Sequence, residues 1–342
     1  DEVPAADGGK LLTTQALDFV GTALGARGGV VTIATDAWHW QADVPVYDRF
    51  ADMAVAKGLF VVEAGNSAQA QPSALARLPF DGGDARDLQS SWLVVAALDS
   101  SQPTRLAGYS NACGVAKESG LAAPGTVVVN GIGDTPTDAT YRTMHGTEYA
   151  AAQIGAAAAI VSRTIKYLSP DLLRQTLLGS ASDLGAPGVD EVFGHGLLNL
   201  EVALRGPSRF DWGDVYVAVG LDPQTWSNNI SGSGGLTLTT PWPQLGQYGI
   251  LHLTGDNTYT GKTVVKDWGW LVVTGDLASP VEIGGYGFVD AGNGTWSGAV
   301  GIGCPQPASA AARTQVSTDP RRRIRMARRI RPGLWLGIVL LG

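Results

Sequence analysis

Cysteine is scarce in this sequence, with only Cys113 and Cys304 among 342 residues. Two cysteines do not make the disulfide framework of a small secreted domain, and their separation matches none of the short spacings of a zinc site. Histidine is nearly as scarce, with four residues. The composition therefore predicts two free thiols, no cofactor and no metal site.

Apolar runs long enough to cross a membrane are also lacking. The run at 334–341 is far shorter than the ~20 residues that a transmembrane helix needs. The first residues, 1–4, have neither the basic region nor the apolar core of a signal peptide. We expect either that the sequence begins inside a longer protein or that its leader is not part of it.

Positive charge is concentrated at the C-terminus. The chain has 24 Lys and Arg residues against 31 Asp and Glu residues, which gives a net charge of −7. From Arg313 onward eight arginines stand against one acid, Asp319, so this tail carries +7 and residues 1–312 carry −14. An acidic body argues against a nucleic-acid partner, because phosphate binding needs clustered cations. We interpret the tail as foreign or frame-shifted sequence, with a functional basic arm as the alternative.

The second half is rich in turn residues. From about residue 230 to 303, short β-branched runs are separated by Gly, Asn and Asp turns at roughly ten-residue spacing, which predicts a repetitive all-β solenoid or sandwich. Stacked coils of this kind bury a continuous core that one coil cannot bury alone. At 342 residues the chain also exceeds one typical domain, so two are expected.

The most informative stretch of the first half is 144–152, Met-His-Gly-Thr-Glu-Tyr-Ala-Ala-Ala, which leads into a helix of small residues. A turn of small residues at this point presents side chain 148 at the N-terminus of a buried helix. Backbone N–H groups and the helix dipole favour an oxyanion there.

Six further segments follow the same motif order as one known family. They are 61–66 (Val-Val-Glu-Ala-Gly-Asn), 93–97, 109–114, 121–125, 169–173 and 194–200. With them, residues 20–206 resemble the subtilase family of serine proteases. The stretch 144–152 is similar to the nucleophile motif of that family, Gly-Thr-Ser-Met-Ala-Ala-Pro, with Glu148 in place of the serine. The phrase at 251–261, Leu-His-Leu-Thr-Gly-Asp-Asn-Thr-Tyr-Thr-Gly, resembles the passenger repeat of bacterial autotransporters. The whole is similar to the subtilisin-like autotransporter proteases of Gram-negative bacteria.

This resemblance implies a serine endopeptidase with a catalytic Asp, His and Ser in that order. It makes Asn66 the donor of a hydrogen bond to the oxyanion, although an asparagine that only holds the turn is an equal alternative. In subtilisins the histidine precedes that asparagine by roughly 90 residues. Only 65 residues precede Asn66, and none reads as the family's His-Gly-Thr-His motif. The Asp and His segments are therefore missing, and Glu148 stands in place of the serine.

The four histidines give no clear replacement. His39 lies between two tryptophans with acidic neighbours, and we interpret it as a surface-loop residue rather than half of an Asp–His pair. His195 and His252 are interpreted as structural. His145 and Glu148 form a His-x-x-Glu pair, which supplies at most two of the three or four ligands of a zinc site.

Glu148 allows three interpretations. As a capping carboxylate it would stabilise the helix start by ~0.5–1 kcal/mol. As a catalytic acid it lacks the second carboxylate of glycosidase chemistry. As a residue under no constraint it needs no role. In the substrate groove, Ala34 and Asp36 occupy the positions of the family's Ser-x-Gly, whose backbone pairs with a peptide substrate. Asp36 would crowd and charge that groove.

The predicted fold is α/β. It consists of the C-terminal part of a subtilisin-like doubly wound parallel sheet, followed by an all-β, β-solenoid-like passenger repeat. The expected strands are 30–34, 59–63, 92–98 and 126–130, and the expected helices are 44–57, 150–167 and 170–179. The predicted segments are a partial subtilase-like domain at 1–206, a linker at 207–229, the repeat at 230–303 and the tail at 304–342.

Two functions remain from this reasoning. The first is a catalytically inactive subtilase domain of an exported autotransporter, acting as a structural or binding module. The second is an active serine endopeptidase whose remaining catalytic segments lie outside this sequence. The partner would be a polypeptide substrate, if any, and the expected location is the extracellular or outer-membrane surface of a Gram-negative bacterium. Membrane association is expected only through a β-barrel that this sequence does not contain, and the oligomeric state is left open.

Overall fold

The computed structural model describes residues 2–4, 10–12, 14–24, 28–34, 44–55, 58–81, 86–131, 134–135, 137, 140–292, 294–302 and 339–340. The chain divides into two compact units. Unit 1 comprises Asp1–Arg163 and Ser169–Leu200, and unit 2 comprises Thr164–Leu168 and Glu201–Gly342. The predicted organisation into four segments remains a prediction.

Unit 1 is built on a four-stranded parallel sheet. After an antiparallel pair formed by β1 (Glu2–Pro4) and β2 (Lys10–Leu12), the sheet strands follow in chain order. They are β3 (Gly29–Ile33), β4 (Gly58–Glu63), β5 (Trp92–Leu98) and β6 (Gly120–Pro124). Every residue of β4 and β5 is buried, as expected for the central strands of a parallel sheet that is covered on both faces. The α/β prediction for the first half is confirmed.

Helices accompany this sheet. They are α1 (Thr14–Leu24), α2 (Val44–Val55), α3 (Arg86–Gln89), α4 (Thr147–Thr164) and α5 (Pro170–Gly179). An aromatic cluster joins α2 to the sheet, with ring centroids of Phe50, Phe60 and Trp92 lying 5.2–5.4 Å apart. Trp92 also donates its indole N–H to the carbonyl of Ala76 at 3.0 Å, so its one polar atom is paired inside the core.

Helix α5 begins as its sequence predicts. The side chain of Ser169 accepts a hydrogen bond from the N–H of Leu172 at 3.1 Å, and Pro170 occupies the first turn. A serine cap followed by proline is a common way to start a helix, because one orphan N–H is satisfied and proline lacks another.

Helix α4 lies very close to the sheet. Its buried positions are mostly alanine and glycine, and a Cβ atom on Gly155 would overlap the hydroxyl oxygen of Thr32 in β3. Only a residue without a side chain permits this approach. The helix backbone is thereby held against the carboxyl half of the sheet.

One predicted strand lies outside the parallel sheet. Thr126–Asn130 (β7) pairs antiparallel with Tyr141–His145 (β8), and most residues of this hairpin are at least partly exposed. The fourth sheet strand is instead β6, which is not among the expected strands. The run of β6 is short, rich in alanine and ends in proline, so its local β propensity is weak. It is a strand because it is buried between β5 and the segment around Leu197, with which Ala122 forms a bridge, and not because of its propensity.

Unit 2 contains α6 (Leu200–Ala203) and two five-stranded parallel sheets. The first sheet holds β9 (Val215–Ala218), β11 (Leu236–Thr239), β13 (Thr263–Val265), β15 (Val281–Ile283) and β17 (Val300–Ile302). The second holds β10 (Gln224–Trp226), β12 (Gly249–Leu253), β14 (Gly269–Val273), β16 (Phe288–Asp290) and β18 (Val339–Leu340). Each strand pairs with the strand two positions along the chain, so the chain alternates between the sheets.

One predicted segment contains strands of this arrangement, and another lies mostly outside the described residues. Residues 207–229, expected as a linker, contain β9 and β10, which pair with β11 and β12. Tryptophan and proline in that segment made two short strands look like a connection. The predicted basic tail lies almost entirely outside the described residues, and only β18 within it is described, paired in parallel with β16.

The buried side chain of Asn257 in unit 2 is hydrogen-bonded within its own coil and to the neighbouring coils. The amide of Asn257 donates to the carbonyls of Gly255 and Asp276 at 2.6 and 3.1 Å, and its oxygen accepts the N–H of Ile230 at 3.3 Å. Within the residues that the structure describes, no helix is long and apolar enough to cross a membrane.

Candidate functional site

The turn that enters α4 is fixed by a small hydrogen-bond network. The N–H of Gly146 donates to the carbonyl of Gly125 at 2.9 Å and lies 3.1 Å from the hydroxyl of Tyr109. That hydroxyl donates to the same carbonyl at 2.8 Å. The start of α4 is therefore tied to the segment that follows β6.

The loop after β4 carries Asn66. Gly65 has φ +104°, a conformation that favours glycine, and a Cβ atom there would collide with Asn111. The buried Asn111 donates to the carbonyl of Ala64 at 3.0 Å, and its side-chain oxygen accepts the N–H groups of Ser67 and Gln69 at 3.0 and 2.9 Å. This side chain thus holds the loop around Asn66 in one conformation.

Asn66 and the start of α4 are in direct contact. The N–H of Thr147 donates to Asn66 Oδ1 at 2.8 Å, although the two residues are 81 positions apart. This bond fixes the orientation of the amide, because a backbone N–H requires an oxygen as its acceptor. The amide nitrogen of Asn66 then faces Glu63, with Nδ2 lying 3.4 Å from Glu63 Oε2.

Glu63 is the functional-site residue that the sequence analysis passed over. It is fully buried at the end of β4, and its Oε2 accepts the hydroxyl of Thr147 at 2.7 Å. Thr147 is itself fully buried, and its Oγ1 accepts the N–H of Gly65 at 3.2 Å. A signal was present in the sequence, since an acidic residue ends an otherwise apolar run at 59–62. Buried carboxylates are rare unless they are paired.

Glu148 lies in the first turn of α4, at the position predicted for the nucleophile. Its side chain folds back over the turn, so that a Cβ atom on Gly146 would overlap Glu148 Oε2. This oxygen is buried and has no hydrogen-bond partner in the described part of the chain. Oε2 therefore does not cap the helix through a hydrogen bond, and what favours the carboxylate there is the positive end of the helix dipole.

The carboxylate of Glu148 affects the pKa of Tyr109, which lies beside the turn. Burial raises the pKa of Tyr109 above its usual value, and the negative charge of Glu148 raises the pKa further, against the effect of the hydrogen bond from Gly146. The phenol therefore stays protonated at neutral pH and keeps its hydrogen bond to Gly125.

Of the other residues considered, His145 lies beside this cluster, with its ring centroid 6.4 Å from that of Tyr109, and the rest are apart from it or outside the described residues. His145 ends β8, and its Nδ1 lies 3.0 Å from the hydroxyl of Thr126. His195 is buried, and its backbone N–H donates to the carbonyl of Gly120. Ala34 is exposed and directly follows β3; because Ile33 pairs with Val62, Ala34 lies at the same sheet edge as Glu63. Asp36 and His39 lie outside the described residues. In the described ranges no three His, Cys, Asp or Glu side chains are close enough to hold a metal ion.

The residue at the position predicted for the nucleophile limits the chemistry that this site can perform. Acyl transfer needs a hydroxyl or thiol beside a base. Position 148 carries a carboxylate instead. The neighbouring hydroxyl of Thr147 does lie beside a carboxylate, but it is buried and out of reach of a peptide.

Comparisons with known proteins agree with these motifs. The chain is 36% identical over 240 residues to the Neisserial autotransporter lipoprotein NalP of Neisseria meningitidis serogroup B, across 66% of this chain and 21% of that protein. It is 35% identical over 222 residues to serotype-specific antigen 1 of Mannheimia haemolytica, across 64% and 22%. It is 29% identical over 292 residues to an extracellular serine protease of Serratia marcescens, across 69% and 27%. The chain thus spans roughly a quarter of the length of these relatives.

Solved structures of proteases are similar at low identity. The patellamide maturation protease PatA is 22% identical with a TM-score of 0.43, over 56% of this chain and 66% of that chain. The prenylagaramide maturation protease PagA is 20% identical with a TM-score of 0.42, over the same two shares. The model of the Subtilase family matches residues 5–196, which include both Asn66 and Glu148. Because this match covers more than half of the sequence, the chain belongs to the subtilase family.

Proposed function

We propose that this chain is a catalytically silent, partial subtilase domain of an exported autotransporter protein, serving as a structural or binding module. The observation that carries the proposal is Glu148 in the first turn of α4, where the family's motif has its nucleophilic serine. Loss of that serine costs a subtilase on the order of 10⁶ in turnover. A His and an Asp supplied by another segment would still have no hydroxyl to activate at this position.

The geometry around Asn66 supports the same proposal. One oxyanion donor contributes about 3–4 kcal/mol to a working subtilase, provided that it points at the position of the developing charge. The amide nitrogen of Asn66 instead faces the carboxylate of Glu63. This donor is engaged inside the protein, so its presence in the motif is no measure of activity.

Unit 2 is proposed as the passenger repeat, in the form of a β-solenoid. The alternation of the chain between two parallel sheets, with buried residues in each strand from β9 to β16, supports this identification. The names of the relatives, an autotransporter lipoprotein and an extracellular serine protease, support a location on the extracellular or outer-membrane surface of a Gram-negative bacterium.

A fluorophosphonate probe tests the proposed lack of activity, since it labels only serines that are activated as nucleophiles. The purified full chain is incubated with the probe beside an active subtilase, and labelled peptides are mapped by mass spectrometry. We expect no labelled residue in the chain. Labelling of a single serine, abolished by changing that serine to alanine, would instead support an active endopeptidase whose other catalytic segments lie outside this sequence.

Casein hydrolysis provides the second readout. We expect the wild-type chain and its Glu148→Ala variant to show the same background rate, because position 148 contributes no chemistry. A rate above background in the wild type that falls in the variant would mean that Glu148 itself takes part in catalysis, and the proposal of a silent domain would be wrong.

A further inference from the structure

The carboxylate of Glu63 occupies an unusual place for an acid. It ends β4, a strand whose six residues are all buried, and it is itself fully buried. Burying a charge in a protein interior is unfavourable by several kcal/mol unless hydrogen bonds compensate for the lost water. The contacts of this side chain should therefore show what stabilises it.

Two side-chain donors converge on one oxygen of this carboxylate. Glu63 Oε2 lies 2.7 Å from the hydroxyl of Thr147 and 3.4 Å from Nδ2 of Asn66. The hydroxyl has a single proton and two acceptors in reach, Glu63 Oε2 at 2.7 Å and Asn66 Oδ1 at 3.0 Å. Hydrogen bonds to a charged acceptor are shorter and stronger, so the proton lies on the side of Glu63.

The remaining bonds agree with this assignment. Asn66 Oδ1 already accepts the N–H of Thr147, and Thr147 Oγ1 already accepts the N–H of Gly65. Amide and hydroxyl are thus each oriented by a backbone N–H, with their own protons directed at Glu63. The donors are also beside the N-terminus of α4, an 18-residue helix whose dipole favours negative charge.

We infer that Glu63 is an internal anionic ligand of this site. Its carboxylate occupies the donors of Asn66 and Thr147 in the folded chain, so the site is an anion-binding site that is already filled by the protein. This inference rests on the proposed function, because it explains how a silent subtilase site keeps its polar groups satisfied. The class of ligand that the site takes is a small monovalent carboxylate.

Removing the side chain of Glu63 should therefore create a site for an added anion. The Glu63→Ala variant leaves a polar cavity of about the size of a carboxylate group, in which the amide of Asn66 loses this acceptor and the hydroxyl of Thr147 keeps only Asn66 Oδ1 in reach. Formate has the charge and size of the missing group. We expect the melting temperature of Glu63→Ala to fall below that of the wild type, and sodium formate to restore part of the loss in a saturable way, by about 2–5 °C.

Three controls separate this effect from general salt stabilisation. Sodium chloride at equal ionic strength replaces formate. The wild type has the site filled, and the isosteric Glu63→Gln variant has it blocked by a neutral amide, so neither should respond to formate beyond the chloride control. A folded Glu63→Ala variant that formate does not stabilise, or an equal formate effect on the wild type, would overturn the inference.

A measurement on the wild type covers the case in which Glu63→Ala does not fold. With ¹⁵N-labelled asparagine, the side-chain NH₂ signal of Asn66 is assigned by its loss in Asn66→Asp. We expect one of its two protons to be shifted downfield, to exchange slowly with water, and to move in Glu63→Gln. A signal at the position of a solvated amide, unchanged in Glu63→Gln, contradicts the inference. Neither readout depends on catalysis, so labelling by a fluorophosphonate would refute the proposed function without deciding this one.

Discussion

Replacing Glu148 by alanine is expected to stabilise unit 1, although the variant removes a negative charge from a helix N-terminus. Glu148 Oε2 is buried without a hydrogen-bond partner in the described part of the chain. An unsatisfied buried acceptor destabilises the folded state by about 1–3 kcal/mol, and a charged one by more. This penalty disappears in Glu148→Ala.

Two other terms decide the net effect. The helix dipole stabilises a first-turn carboxylate by about 0.3–1 kcal/mol, and by up to ~2 kcal/mol in partly buried sites. Alanine in turn has the higher helix propensity, by up to ~0.7 kcal/mol. We expect the free energy of unfolding to rise by about 0.5–2 kcal/mol, which corresponds to a melting temperature higher by ~1–8 °C for a domain of this size.

A matched first-turn acid in the same unit is the control. Asp171 lies in the first turn of α5, and its Oδ2 accepts the side-chain amide of Gln175 at 2.8 Å. Its Oδ1 is buried without a hydrogen bond, as Glu148 Oε2 is, but lies 3.5 Å from the cationic Nε of the buried Arg174, so Asp171→Ala should lower stability. Urea unfolding at pH 7 measures both variants against the wild type.

The sign of the difference tests the reasoning. Loss of stability in Glu148→Ala, of the same size as in Asp171→Ala, would show that attraction to the helix N-terminus outweighs the unsatisfied oxygen. The isosteric variant Glu148→Gln then separates charge from shape, because it keeps a buried oxygen at the same place without the negative charge.

Three further predictions concern packing and titration. Gly155→Ala should lower stability by ~1–3 kcal/mol through its clash with Thr32, despite the better helix propensity of alanine. In a double-mutant cycle measured by urea unfolding, the Thr32→Ala background should recover most of this loss. Asn257→Ala should destabilise unit 2 by ~1–3 kcal/mol, because the carbonyl of Gly255 and the N–H of Ile230 lose their partner, whereas the carbonyl of Asp276 keeps the backbone N–H of residue 257; an unchanged urea midpoint would contradict this. Burial raises the pKa of the Cys113 thiol from 9.0 to about 12, so the folded state keeps its proton where the unfolded chain loses it. Stability from this group is therefore complete below pH 9 and is lost as the pH rises from 9 towards 12, and Cys113→Ala should show a correspondingly shallower decline in a pH series of unfolding curves.

Local patterns were enough to predict the central strands of unit 1. Strands β4 and β5 are buried on both faces, so they appear in the sequence as mostly apolar runs. Pairing partners are not encoded in the same way. The run at 126–130 has the stronger β propensity, yet it pairs with 141–145 in a hairpin, while the weaker 120–124 joins the sheet. Tertiary burial decides between them, and a single sequence does not contain that information locally.

The site shows a similar division. Motifs predict Asn66 and Glu148 as site residues, because glycine-containing turns at the end of a strand and at the start of a helix have recognisable sequences. Their surroundings did not follow from the sequence, since the bond between Asn66 and Thr147 joins positions 81 residues apart. Glu63 does not stand out in the sequence, because it is the last residue of the apolar strand that precedes Asn66. An acid inside an apolar run should have been treated as a group that needs hydrogen-bond donors, and those donors are the site.

The scaffold of this site does not depend on the chemistry that the family performs there. Asn111 holds the loop of Asn66 through bonds to backbone groups, and Tyr109 holds the entry to α4 through the carbonyl of Gly125. Each of these bonds pairs backbone groups of the site with a protein side chain, so each stabilises the domain whether or not a nucleophile is present. Under the proposed function, the chain carries Glu148 at the position predicted for the nucleophile, and Glu63 against the neighbouring donors, while these bonds hold the turn and the loop. Geometry alone is for this reason weak evidence of activity in a subtilase fold, and the identity of the side chain at the helix N-terminus is strong evidence.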